Sequence, residues 1–247
     1  MRLIYIFLLQ CSMMASSQEL LVVRGDGDYS PYEVEVDGKY IGFHLELTKS
    51  VAKSLDIKVT FRSYPWKRAL AMVESGKADA ITYVAINPDR ERYIVFTEGN
   101  ELSWGALGLV VSAERKKEFY FNGQDLDSLK HYEFGHLLGY SYGELYDTAA
   151  LNKHAFATAE QLFGTLRLRR IDIAMMNRDE FQHKKASDNE SVEGVVMLEQ
   201  VLKMANYIGF SRSRGLNAFS ERFAKAMLEY KKTQPFIELQ RKYAISY

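Results

Sequence analysis

Short apolar runs alternate with amphipathic stretches along the first third of the chain, and this alternation limits the folds open to it. Residues 20–24, 57–61 and 78–84 are compact apolar runs typical of buried strands. Between them, apolar residues recur at helical spacing in residues 43–55 and 66–75, which predicts two helices. The order strand, helix, strand, helix, strand indicates an α/β unit with parallel strands.

A second block repeats this pattern further along the chain. Its strands are predicted at residues 136–140 and 171–176, and its helices at 143–151 and 159–168. Two further amphipathic helices are predicted in the last stretch of the chain, at residues 216–230 and 236–243. No low-complexity linker separates the two blocks. We therefore expect two α/β lobes that share a hinge and enclose a cleft.

The composition excludes several functional classes. The 32 basic residues balance the 32 acidic residues, so no overall field attracts nucleic acid or an anionic membrane. The single cysteine, Cys11, cannot build a disulfide framework, an Fe–S cluster or a zinc ribbon. His131 and His136 are five positions apart, which is not the spacing of two zinc ligands on one helix face. We expect no metal, no cofactor and no nucleic-acid partner.

Residues 1–17 are predicted to be a secretory signal peptide. An apolar run at residues 3–9 is followed by small residues that offer a cleavage site near Ser17. The run is too short for a membrane span, which needs about 20 residues. A buried first strand and a lipid anchor on Cys11 are the alternatives. Cleavage near Ser17 leaves a cysteine-free chain suited to an oxidising periplasm.

Four segments carry motifs that occur together in one protein family. They are an aromatic-Pro-aromatic loop and Gly-Phe within residues 20–55, Gly-Lys-x-Asp-Ala within 65–84, the Asn-Pro-Asp-Arg stretch of 87–97, and the strand at 169–177. In this order they resemble the family 3 extracellular solute-binding proteins of ABC importers, of the polar amino acid-binding type. Each motif is weak alone, but together they span almost all of the chain after residue 20.

The resemblance implies an α/β fold of the type II periplasmic-binding class, with two lobes and a ligand cleft between them. Lobe 1 is expected to comprise residues 18–106 and 207–247, and lobe 2 residues 107–206. Two chain crossings near residues 107–111 and 204–207 are expected to form the hinge.

The resemblance also implies the positions of ligand-binding residues. Arg90 matches an arginine that binds a ligand carboxylate, which a guanidinium does through two parallel hydrogen bonds. Tyr29 and Trp66 match positions that line the apolar part of the ligand. Tyr83 and Ala85 occupy strand-end positions at which relatives often carry serine. Without the resemblance, Arg90 reads as a surface arginine, Trp66 as a core anchor and Tyr29 as a turn residue.

Residues 139–143 fit the G-x-S-x-G pattern of the hydrolase nucleophile elbow around Ser141. A hydrolase also needs an acid and a histidine, and nothing in the sequence arranges Asp172, His154 or His183 around this serine. We favour an interpretation in which Ser141 and the start of the following helix contact a ligand carboxylate.

Asn177 is where the resemblance is least complete. Amino acid binders of the family commonly carry an aspartate near this strand end for the α-ammonium of the ligand. An amide attracts an ammonium less strongly than a carboxylate does. A shift of two residues makes Asp179 the acceptor instead, and both alternatives stay open.

The expected function is the capture of a small polar, carboxylate-bearing solute, an amino acid or a relative of one, in the periplasm. The expected partner is an ABC permease of the inner membrane, and the chain is expected to be monomeric and not an enzyme. A periplasmic solute sensor of the same fold is the alternative. A third hypothesis is an enzyme resembling cyclohexadienyl dehydratase, which needs an acid and a base beside the carboxylate-binding arginine.

Overall fold

The structure is a computed structural model that describes residues 19–123 and 125–245. The predicted signal peptide and Cys11 lie outside these residues. The strands are β1 (Glu19–Gly25), β2 (Val34–Val36), β3 (Lys39–Ile41), β4 (Lys58–Tyr64), β5 (Ala80–Val84), β6 (Ile94–Val95), β7 (Glu101–Ser112), β8 (Glu133–Leu137), β9 (Asn152–Phe156), β10 (Ile173–Asn177) and β11 (Val195–Ser211). The helices are α1 (Phe43–Ser54), α2 (Trp66–Glu74), α3 (Pro88–Glu91), α4 (Glu144–Asp147), α5 (Ala159–Arg167), α6 (Arg178–Ser187), α7 (Asn217–Tyr230) and α8 (Gln234–Tyr243).

One mixed sheet joins both blocks of the chain in the order β4-β1-β5-β11-β7-β10-β8-β9. The three strands at each end are parallel to one another. The central strands β11 and β7 are antiparallel to each other and to their outer neighbours. We call β4-β1-β5 the first half of the sheet and β10-β8-β9 the second half. The two halves are connected through the long β7–β11 pair.

Each half of the sheet has its own hydrophobic core. The clusters on the first half draw on residues 20–102 and 207–245. The clusters on the second half draw on residues 107–204. Burial of apolar surface stabilises a protein by roughly 25 cal/mol per Å². Two separate cores therefore contribute this stabilisation, one on each half of the sheet.

Helix α1 shows how the sequence produces these cores. Gly42 precedes it with φ of 123°, and a side chain there would lie 2.3 Å from the carbonyl oxygen of Tyr32. Only glycine suits this combination of a positive φ and a close approach. From this start, Phe43, Leu47 and Val51 follow at helical spacing and are fully buried.

The structure is an α/β fold with one mixed sheet and a separate core on each half, as expected from the sequence. The helices and strands expected around residues 20–84 are present within a few positions. The largest difference concerns β7 and β11, which have 12 and 17 residues. The sequence analysis treated only short pieces of them as chain crossings, because strands that pass from one core to the other have no single buried face.

Candidate ligand-binding cleft

Five of the six predicted ligand-binding residues line a small cavity between the two halves of the sheet, and Tyr29 lines only the groove beside it. The cavity has a volume of about 30 Å³, which is room for about one water molecule. A larger open groove of about 480 Å³ adjoins it. Both spaces are lined by Trp66, Tyr140 and Glu180. The cavity wall also contains Tyr83, Ala85, Arg90, Ser141, Asn177 and Asn206.

Arg90 lies at the inner end of the site and is 5% exposed. It belongs to α3, where the side chain of Asn87 caps the helix by accepting from the Arg90 backbone N–H at 2.9 Å. Its Nη1 donates to the carbonyl of Ala85 at 2.9 Å, and its Nη2 donates to that of Gly139 at 3.4 Å. None of the ion pairs formed by the described residues involves Arg90. Burial accordingly lowers the pKa of the Arg90 guanidinium.

Aromatic rings form the sides of the site. Trp66 is the first residue of α2, after Pro65, and its ring lies 5.5 Å from the Arg90 guanidinium carbon. The Trp66 ring stacks on Tyr140 with centroids 6.1 Å apart. Tyr29 contacts both Tyr83 and Tyr140 edge-on, at 5.5 and 6.0 Å. Tyr140 and Trp66 therefore offer flat faces to an organic cation or an apolar group.

Tyr83 links the two halves of the sheet. It is the last residue but one of β5 and has a φ of 55°, an uncommon value for a residue with a side chain. From there its hydroxyl donates to Oε1 of Glu180 on α6 at 2.6 Å. Burial raises the pKa of the Glu180 carboxyl, although the hydrogen bond from Tyr83 acts in the opposite direction. Lys184 on the same helix pairs with Glu160 and not with Glu180.

Asn177 caps helix α6. Its Oδ1 accepts the backbone N–H groups of Asp179 and Glu180 at 2.8 and 3.2 Å. The amide oxygen is therefore occupied, and the Nδ2 group is the part of Asn177 that remains for a ligand. Asp179 accepts a hydrogen bond from the hydroxyl of Tyr32. Of the two alternatives left open by the sequence, Asn177 lines the cavity and Asp179 does not.

Ser141 lines the cavity, but its hydroxyl donates to the carboxylate of Asp147. The same carboxylate accepts the backbone N–H of Tyr142 at 3.0 Å. This N–H is therefore not directed at the cavity. The expected contact between a ligand and the start of the following helix, which begins at Glu144, stays a prediction. Only the lone pairs of the Ser141 hydroxyl remain available.

Two of the three hydrolase candidates pair with other residues, and the third, His183, lines the adjoining groove but not the cavity that contains Ser141. Asp172 pairs with Arg115 at 2.7 Å, and His154 pairs with Glu133 at 2.6 Å. The partner of Ser141 is an aspartate, which lacks the intervening histidine that activates a serine. The geometry around the G-x-S-x-G pattern thus matches a turn and not a nucleophile elbow.

Three residues of the site were missed by the sequence analysis, namely Tyr140, Glu180 and Asn206. A signal existed for Glu180, since an asparagine followed by acidic residues is typical of a helix start. Recognition of α6 would have placed Glu180 one turn from Asn177. Asn206 lies within a long strand and carries no such signal.

Residues 19–123 and 125–245 contain neither a cluster of metal ligands nor a helix that could span a membrane. No cluster of three or more His, Cys, Asp or Glu side chains there is placed to hold a metal ion. No helix in that part of the chain is long and apolar enough to cross a membrane.

A family model spans nearly the whole chain. The model of the bacterial extracellular solute-binding proteins, family 3, matches residues 21–246. The chain belongs to this family. The resemblance inferred from the four sequence motifs is thereby confirmed, and the family includes amino acid-binding periplasmic proteins.

Individual proteins agree with this membership. The L-cystine-binding protein TcyJ of Escherichia coli is 27% identical over 186 residues, which cover 73% of this chain and 68% of TcyJ. An arginine transport-system periplasmic binding protein from Legionella pneumophila has a TM-score of 0.71 at 14% identity, covering 92% of this chain and 100% of that one. A histidine kinase sensor domain with similarity to periplasmic binding proteins has a TM-score of 0.72 at 18% identity, covering 92% and 96%. At these identities the two structures show the shared fold alone.

Proposed function

We propose that this family 3 protein captures a small carboxylate-bearing solute, an amino acid or a relative of one, in the cleft around Arg90. Lobe 1 would comprise residues 18–106 and 207–247, and lobe 2 residues 107–206. The observation that carries the proposal is that Arg90 is a buried cation with no carboxylate partner among the described residues.

Burial of an unpaired charge is costly, so proteins rarely retain one without a use. A guanidinium has five N–H donors. Arg90 donates one to the carbonyl of Ala85 and one, at a longer distance, to the carbonyl of Gly139. The remaining donors suffice for a carboxylate held by two hydrogen bonds. A bound carboxylate would supply both the missing hydrogen bonds and the missing counter-charge.

Glu180 supports an amino acid over a simple carboxylic acid. It lines the same cavity as Arg90 and comes from the opposite half of the sheet. The site therefore presents one cationic and one anionic group to the same small space. A zwitterion satisfies both, with its carboxylate on Arg90 and its ammonium on Glu180. Glu180 would take the part of the aspartate that the family commonly uses for the ammonium, whereas the free Nδ2 group of Asn177 is a donor.

Closure of the lobes over the solute would be the signal read by an ABC permease in the inner membrane. Contacts between the halves at Tyr83–Glu180 and Arg90–Gly139 indicate how they meet. A solute favours closure only as far as it binds the closed form better than the open form. We propose that the protein works in the periplasm, after removal of residues 1–17.

The test is a thermal-shift and calorimetric screen of the mature protein with L-amino acids, L-cystine, dicarboxylates, opines and aromatic acids. A solute at a thousand times its Kd stabilises by roughly 4 kcal/mol. The Arg90→Ala variant should weaken binding of the solute by about tenfold or more, since hydrogen bonds to charged groups contribute roughly 1.5–3 kcal/mol. Arg92→Ala is the matched control, because Arg92 is exposed and pairs only with Asp89 and its neighbours. Equal losses in both variants, or none in Arg90→Ala, would contradict the proposal.

One observation favours a second function, a dehydratase-like enzyme. Such an enzyme needs an acid near Arg90, and Glu180, whose raised pKa suits a proton donor, lines the same cavity. Turnover of prephenate or arogenate by the purified protein, lost in Glu180→Gln, would establish this function. Tight binding of a solute that is recovered unchanged would support the binding protein.

A further inference from the structure

A chain of polar side chains runs through the protein interior to the wall of the cavity. Arg24 Nε donates to Glu33 at 3.2 Å, and the other oxygen of Glu33 lies 3.3 Å from His44 Nδ1. His44 Nε2 lies 2.8 Å from the hydroxyl of Ser103. Asn206 Nδ2 donates to the same hydroxyl oxygen at 3.2 Å. All five residues are at most 2% exposed, and only Asn206 reaches the cavity.

The direction of each hydrogen bond follows from the chemistry of the two ends. The Glu33 carboxylate, held by Arg24, can only accept, so the proton of a neutral His44 ring belongs on Nδ1. His44 Nε2 then accepts from Ser103, and the serine oxygen is left to accept from Asn206. Burial lowers the pKa of His44, which favours this neutral ring.

The chain therefore fixes which end of the Asn206 amide faces the cavity. With Nδ2 on Ser103, Oδ1 has no hydrogen-bond partner among the described residues, and the residue lines the cavity. The absence of a side chain at Gly105 gives both asparagines room, since a Cβ there would lie 2.8 Å from Asn177 Nδ2 and 3.1 Å from Asn206 Nδ2.

We propose that Asn206 is a ligand-contacting residue whose Oδ1 accepts an N–H of the solute, with Glu33, His44 and Ser103 as positioning residues. This inference rests on the proposed function. Asn177 has the opposite orientation: its Oδ1 caps α6, so its Nδ2 is the group that can donate to a solute. The two asparagines thus offer one acceptor and one donor beside Arg90 and Glu180. A solute with an N–H near its carboxylate is preferred over one without.

The order Glu33, His44, Ser103 also has the form of a catalytic triad. Ser103 is 1% exposed and does not line the cavity. A nucleophile must reach its substrate, and this hydroxyl is covered by Asn206. The chain acts through Asn206 and not by attack on the solute.

The tautomer of His44 is the direct test, and it needs no ligand. We expect ¹⁵N NMR of the folded protein to show a neutral His44 ring with its proton on Nδ1. Asn206→Asp replaces the donor by an acceptor, which turns the Ser103 hydroxyl around and should place a proton on Nε2. Asn177→Asp is the control and should leave the His44 ring unchanged. A wild-type proton on Nε2, or no change in Asn206→Asp, would overturn the assigned orientation.

Binding tests the contact with the solute. With L-arginine, L-glutamine and L-cystine as calorimetric probes, Ser103→Ala should weaken the Kd of those that bind by about three- to tenfold, the effect of one hydrogen bond. Ser103→Thr keeps the hydroxyl and should restore most of the affinity. Unchanged affinity in Ser103→Ala overturns the positioning role. If no panel solute binds the wild type, the proposed function and the contact role of Asn206 are both contradicted. If Arg90→Ala loses binding but Ser103→Ala does not, the proposed function is supported and the positioning role is contradicted.

Discussion

The hydroxyl of Tyr83 donates to Glu180 at 2.6 Å and so joins the last residues of β5 to the first turn of α6. A second bond of the same kind joins Tyr32 to Asp179. Tyr83 belongs to the first half of the sheet and Tyr32 packs in its core, and both carboxylates follow the last strand residue of β10. The contact between the two sides is thus made by acidic residues of the protein itself. A solute ammonium that pairs with Glu180 competes with, or adds to, the bond from Tyr83.

Tyr83→Phe removes this hydroxyl and leaves the carboxylate partner in place. Hydrogen bonds to charged groups contribute roughly 1.5–3 kcal/mol, so we expect urea unfolding to show a loss of about 1–3 kcal/mol. Small-angle scattering should show a larger radius of gyration for the unliganded variant. Tyr132→Phe is the control, because its hydroxyl lies 3.4 Å from its acceptor at an exposed position. Equal stability of the two variants would show that the bond from Tyr83 contributes nothing.

Glu180→Gln should change how stability depends on pH. A raised pKa means that the folded protein binds this proton more tightly than the unfolded chain does. The resulting stabilisation is present at acid pH and is lost as the pH rises through the folded-state pKa. Relative to the wild type, Glu180→Gln should therefore gain stability as the pH rises from the unfolded-state pKa through the raised folded-state pKa. Parallel pH profiles of the two proteins, measured by urea unfolding, would contradict this account.

Intrinsic fluorescence should report solute binding through one of the two tryptophans. Trp66 lines the cavity and stacks on Tyr140, whereas Trp104 is 52% exposed on β7. Entry of a solute between Trp66 and Tyr140 changes the surroundings of the Trp66 indole. The emission change on titration should persist in Trp104→Phe and disappear in Trp66→Phe. A signal that follows Trp104 instead would place the solute away from this cleft.

The fold was predictable where an element packs within one half of the sheet and its apolar residues form a clear pattern. Helical spacing at residues 43–55 and the compact apolar run at 20–24 are such patterns, and the structure has both elements within one or two positions. The long strands β7 and β11 were not predicted at full length, because each serves both cores. Strand β9 was missed as well, since most of its residues are exposed or half-buried and give no apolar run.

The site was only partly predictable, because distant side chains decide what each residue can do. Arg90, Tyr83 and Trp66 were placed by family resemblance and do line one cavity. The use of the Asn177 oxygen as a helix cap depends on α6, which the sequence analysis did not identify. The contact of Ser103 with His44 spans 59 positions along the chain and follows from the packing of α1 against β7. The roles of Arg90, Tyr83 and Trp66 as ligand-binding residues stay predictions.

Glu33→Gln should test how strongly the interior polar chain stabilises the first half of the sheet. Arg24 and Glu33 are both 0% exposed, and Arg24 also donates to the carbonyls of Gly27 and Glu33. Removal of one partner leaves the other charge buried and uncompensated, which costs about 3–5 kcal/mol.

The matched control for Glu33→Gln is Asp89→Asn, which removes an exposed ion pair. In that pair the distance between Asp89 Oδ1 and Arg92 Nη2 is 3.1 Å. Solvent and salt screen such a pair, so Asp89→Asn should change the unfolding free energy by less than about 1 kcal/mol. Thermal and urea unfolding of both variants measure the difference. If Glu33→Gln were as stable as Asp89→Asn, Glu33 would not act as the ionic partner of Arg24. The Nδ1 proton assigned to His44 would then lose its basis, so the stability of this one variant also bears on the orientation of Asn206.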